Sequence, residues 1–160
     1  KQYHNSGMPK LWEFLATCLA GDRAEQLRPT TIKLFNYKAA DTVSPTAFNW
    51  SEAFGSLDMI EATPFVTYSA APVKAPDDPT TPTKWNVTLH FTIPASYISQ
   101  EEIHVIGLYP TNASNNETNA AAYYICAKEE NNETVWDPID ADISSNYSLL
   151  LDWTLSISNK

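Results

Sequence analysis

A chain of 160 residues with 43% hydrophobic side chains can bury one core but is too short for two comfortable domains. Its formal net charge of −9 argues against tracking nucleic-acid phosphates, which needs a basic stripe, and against docking to anionic lipid. No apolar run approaches the ~20 residues of a membrane helix, so a single domain over residues 1–160, kept soluble by its acidity, is expected.

The N-terminus has no signal-peptide pattern, and Lys1 implies that the initiator methionine or more has been removed. Asn5 or Ser6 can cap a helix that Pro9 enters in its first turn. Leu11, Trp12, Leu15, Cys18 and Leu19 recur at three- and four-residue spacing until Gly21 stops the pattern. A helix over 7–20 with one apolar face follows. Alone it is marginal, so it must lie on a sheet or plug the end of one.

Thr30–Tyr37 is rich in β-branched and aromatic residues and reads as the first strand. Phe48–Ile60 contains a short helical turn, and Phe65–Ser69 is a second strand. Residues 71–84 hold Pro72, Pro76, Pro79 and Pro82 around Asp77 and Asp78. That proline density forbids a helix or a central strand and implies an extended loop, either on the surface or laid as an arm over a neighbouring subunit.

Trp85–Ile93 alternates cleanly, with Trp85, Val87, Leu89, Phe91 and Ile93 on one face. Ile103–Tyr109 is apolar on both faces and belongs mid-sheet with something packed on each side, for which the N-terminal helix is the expected cover. Ala121–Lys128 and Thr134–Trp136 flank a hairpin-like turn at Glu129–Glu133. Tyr147–Ile157 is a long alternator, read as a central strand because a chain end is seldom ordered unless pinned. It is expected to face Trp85–Ile93 across a core. These elements predict a mainly β fold, an antiparallel β-sandwich of about seven strands with one N-terminal α-helix.

Little in the sequence points to catalysis. His4, His90 and His104 share no ligand spacing with cysteines or carboxylates, and no phosphate loop, nucleophile elbow or metalloprotease motif occurs. No enzyme activity, metal or cofactor is therefore assigned. Asp137, Asp140 and Asp142 could offer oxygens to Ca²⁺, but the glycine and distal glutamate of an EF-hand loop are missing, and a solvated turn is the preferred reading. Cys18 and Cys126 both sit in apolar contexts and read as buried free thiols rather than a disulfide. Six Asn-x-Ser/Thr triplets, at Asn49, Asn86, Asn112, Asn116, Asn132 and Asn146, are discounted as glycosylation sites. Trp50 and Trp136 lie outside the cleanest strands and could present flat faces to a sugar ring or a protein.

The order of features resembles the N-terminal domains of bacteriophage tail fibres. The resemblance rests on Asn5-Ser-Gly7, the Leu-rich helix, Thr31-Ile-Lys-Leu-Phe35, Ile103-His-Val-Ile-Gly-Leu-Tyr109 and the closing Leu150–Asn159. It spans nearly the whole chain in cadence, with few identities. The glycine pair usual after the first strand is replaced by Asn36–Ala40, and no fibre shaft follows Asn159. What the resemblance implies is a phage virion structural protein assembled in the host cytoplasm. It would be a non-enzymatic tail or fibre attachment subunit, docking to other virion proteins as a homo-oligomer. A capsid decoration or head-fibre role is the nearby alternative, and a carbohydrate-binding β-sandwich is the rival from another class. The candidate interaction surface is Trp50, Pro72, Pro76, Asp77, Asp78, Pro79, Pro82 and Trp136.

Overall fold

The computed structural model describes residues 6–7, 9–21, 28–98, 102–110, 120–140 and 148–158. In chain order its main elements are β1 (Ser6–Gly7), α1 (Pro9–Leu19), β2 (Pro29–Tyr37), α2 (Trp50–Gly55), β3 (Met59–Glu61), β4 (Val66–Thr67), β5 (Ala70–Pro76), β6 (Lys84–Pro94), β7 (Val105–Pro110), β8 (Ala122–Ile125), β9 (Ala127–Glu130), β10 (Glu133–Trp136) and β11 (Ser148–Ser158). Every registered strand pair is antiparallel. The larger sheet runs β1-β8-β7-β2-β3, with β4 also on β2, the smaller runs β11-β6-β5, and β9 and β10 form a hairpin. The fold is mainly β, as expected, although eleven strands among the described residues replace the expected seven. The extra ones are mostly too short to display a period.

Alternation explains the layering. Ile32, Leu34, Ile106, Leu108 and Ala122 point from the larger sheet into one core, where they meet Leu89, Phe91, Ile93 and Trp153 of the smaller sheet. Phe35, Tyr37, Val105 and Tyr109 point the other way, into a second core with Trp50, Ala53 and Met59. β7 is buried on both faces, as its continuous apolar run predicts. Its second cover is not the N-terminal helix, however. It is α2, whose start is fixed by the Asn49 side chain accepting from the Glu52 N–H at 3.2 Å.

The N-terminal helix begins at Pro9, and Ser6 lies in β1 rather than at its cap. Gly21, with φ of +80°, ends the segment by donating its N–H to the Cys18 carbonyl. The predicted apolar stripe is only partly used: Leu11 and Leu15 are half-buried together with Phe14, whereas Cys18 is exposed and Trp12 and Leu19 are 63% and 90% exposed. The two cysteines are free. Cys126 is buried, and burial pushes its thiol up to about 12.

The turn at 131–132 is a two-residue hairpin in which Asn131 and Asn132 both take positive φ, 52° and 66°. Asparagine tolerates that region, and two such residues match the twist of the flanking strands.

Candidate functional site

Two strands thought to oppose each other are neighbours. β11 pairs with β6 along its entire length, from Ser148 opposite Pro94 to Ser158 opposite Lys84. This register places Leu149, Leu151, Trp153 and Leu155 beside Ile93, Phe91, Leu89 and Val87 on the core side. The other row is a polar ladder. The Asp152 carboxylate lies 2.7 Å from His90 Nδ1, the Thr88 and Thr154 hydroxyls are 3.0 Å apart, and Ser156 Oγ donates to Asn86 Oδ1 at 2.7 Å. Histidine–carboxylate spacing was invisible in the sequence because strand register, not chain distance, brings His90 to Asp152.

The order β11-β6-β5 also makes β11 an edge strand rather than a central one. The two edges of this sheet are unlike. β5 carries Pro72 and Pro76, and its register shifts between Ala70 and Val73. Proline has no N–H to offer an incoming strand and a bulge twists the edge away, so β5 is blunted. β11 has eleven residues, no proline, no glycine and one charge, Asp152, already hydrogen-bonded to His90. No described strand pairs with its outer side.

An apolar groove of about 420 Å³ lies between α1 and the face of this sheet, reaching from Pro72 of β5 across Leu89 of β6 to β11. α1 contributes Leu11, Phe14 and Leu15, β6 contributes Val87, and β11 contributes Leu155 and Ile157, with Arg28 at its margin. Edge and groove therefore share side chains of β11. The chemistry on offer is contact: a row of backbone donors and acceptors, flanked by apolar surface. Among the described residues, no group of three or more His, Cys, Asp or Glu is placed to hold a metal ion.

The residues singled out from sequence are divided by the fold. Trp50 is 3% exposed, stacked on Tyr123 at a centroid distance of 5.1 Å, and cannot present a face to a ligand. Trp136 is half-buried against Tyr37, Phe48 and His104, its indole N–H donated to the Val43 carbonyl at 2.7 Å. The proline-rich loop of 71–84 is half strand. Residues to Pro76 pair with β6, and only 77–83 form the turn, so the segment folds back on its own sheet. There Asp77 accepts from the Thr83 and Lys84 N–H groups and from the Thr83 hydroxyl, which holds its carboxyl well below the usual range. Asp78 accepts from the Thr80 hydroxyl and from the Thr80 and Thr81 N–H groups, which lower it to about 2. Both aspartates staple the turn, which also contains Pro79 and Pro82. Asp137 is paired with Lys128 at 3.3 Å, while Asp142 and His4 lie outside the described residues.

No family model, curated protein or solved structure matches this chain.

What sequence reasoning missed is the β11 edge and its groove. The available signal was composition: the longest alternator is also free of the residues that usually guard an edge.

Proposed function

We propose that this chain is a structural subunit of a phage particle, a non-enzymatic adaptor that docks to other virion proteins, with tail or fibre attachment preferred over capsid decoration. The observation that carries the docking role is the eleven-residue edge of β11, on whose outer side no described strand pairs and which holds no proline or glycine. Natural sheets seldom leave such an edge bare, because it is a template for another strand. The exposed Trp12 and Leu19 of α1 and the adjoining groove add apolar contact area of the kind protein interfaces use. The setting in a virion rests on the resemblance of cadence to tail-fibre N-terminal domains. The glycan-binding alternative loses support, since Trp50 is in the core and the Trp136 indole N–H is already committed.

The test is location. Mass spectrometry of purified particles should find the chain at a fixed ratio to the major virion proteins, and gold-labelled antibody should place it on the tail. Absence from particles would overturn the virion reading.

A further inference from the structure

We infer that the occupant of the β11 edge is a second copy of this chain, the two β11 strands running antiparallel about a two-fold axis through Trp153. This names the first partner of the docking edge proposed above and rests on that reading.

The strand is complementary to its own reverse. About an axis at Trp153, Ser148 meets Ser158, Leu149 meets Ile157, Leu150 meets Ser156, Leu151 meets Leu155 and Asp152 meets Thr154. Every core-side residue faces an apolar one, and the lone carboxylate faces a hydroxyl. Directly opposed residues in an antiparallel pair share a face. An axis falling between residues would therefore set the apolar row of one copy against the polar row of the other. An axis through Asp152 would oppose two carboxylates. An axis through Thr154 leaves Leu149 without a partner within the strand. Only the Trp153 axis pairs all eleven residues.

Charge agrees. The chain carries −9, yet the three strands of this sheet hold Lys74, Lys84 and Asp152 as their charged side chains apart from His90, that is +2 − 1 = +1. Joining two copies here does not bring the acidic surface together. Burial agrees as well. Leu149, Leu151 and Leu155 point to the core side but remain half-buried, and Ile157 is 51% exposed, so the apolar row runs to the rim of the sheet. A second β11 continues that row and yields one six-stranded sheet, β5-β6-β11 followed by its mirror order, with an isologous interface.

The experiment is register-specific cross-linking with mass measurement, in a Cys18→Ser background. Opposed residues in an antiparallel pair lie at Cα separations of about 4.5–5.5 Å, within disulfide reach. The Leu150→Cys/Ser156→Cys double variant should therefore oxidise to a covalent dimer. Leu150→Cys alone sits six residues out of register from its counterpart, roughly 20 Å, and should stay unlinked. Light scattering of the unmodified chain should give twice 17.8 kDa. Ile157→Lys, which adds a lysine at the edge, should give the monomer with an unchanged circular dichroism spectrum and a thermal midpoint that no longer rises with protein concentration. A unmodified chain that is monomeric at every concentration, a dimer that ignores Ile157→Lys, or equal cross-linking by the single variant would each overturn self-pairing. A monomer still found on particles overturns self-pairing alone, whereas a dimer absent from particles overturns the virion reading alone.

Discussion

The Trp50 indole lies directly over the bare backbone of Gly107. A Cβ built on Gly107 would stand 2.9 Å from Trp50 Cη2 and 2.7 Å from Tyr109 Cε2, distances that real Cβ atoms essentially never reach. The glycine is there for space. Gly107→Ala should lower stability by ~1–3 kcal/mol, the usual range for overpacking a filled core, and Trp50→Leu in the same chain should recover part of the loss. Chemical denaturation of the three variants checks this. A neutral Gly107→Ala would mean that α2 does not press on β7 as described.

His104 makes folding sensitive to mild acid. The ring is 6% exposed and its Nδ1 accepts the Tyr37 N–H, which leaves the ring proton on Nε2. Burial lowers its pKa below the ordinary 6.5, against the opposing pull of the Glu102 and Asp41 charges. The unfolded chain therefore binds this proton at a higher pH than the folded one. The associated stability is complete above about 6.5 and is lost as pH falls from there through the folded value. Urea titrations from about pH 8 to pH 5 should show a decline that His104→Asn flattens. Equal pH slopes in the two proteins would sink the idea.

Lys33 is a charge held inside the fold. It is 5% exposed, paired with the carboxylate of Glu61, and its ammonium lies 4.6 Å from the centre of the Phe65 ring. Removing Glu61 takes one close carboxylate partner from this buried ammonium. Breaking a buried pair costs ~3–5 kcal/mol, and because Glu61 is half exposed the loss for Glu61→Ala should fall at or below the lower end. Lys33→Met, which fills the site without the charge, should be close to neutral. The order of unfolding midpoints, Lys33→Met above Glu61→Ala, is the check.

The two thiols should differ by orders of magnitude in reactivity. Cys18 is exposed on α1, whereas Cys126 is buried with its thiol pushed up to about 12. A thiol reagent at neutral pH should titrate one group per folded chain and two after denaturation. Rapid modification of both in the native protein would contradict the burial of Cys126 where β8 gives way to β9.

How much of this was legible in the sequence depends on what alternation encodes. It identifies which side chains share a face, so β6, β11 and the doubly buried β7 could be read with good boundaries. Partners are not encoded in it. Trp85–Ile93 and Tyr147–Ile157 were recognisable as strands but not as neighbours, because two amphipathic strands look the same whether adjacent or opposed. The reading of β11 as central applied the rule that chain ends need pinning, and pairing with β6 alone satisfies that rule. Proline density in 71–84 reads as a loop, although an edge strand tolerates proline wherever its N–H would point to solvent. α2 was harder still. Six residues are too few for a helical period, and Asn49 three positions before Glu52 was the surviving trace of its start.

The unlike edges of the smaller sheet set a limit on growth. A sheet with two bare edges can add strands indefinitely, and that route leads to fibres. Here the far side is closed by Pro72, Pro76 and a bulge, so joining at β11 uses the single extendable side of each copy. Along this sheet, the proposed strand addition would stop after one step. The prolines that read as a loop would then be the terminator that keeps the association finite.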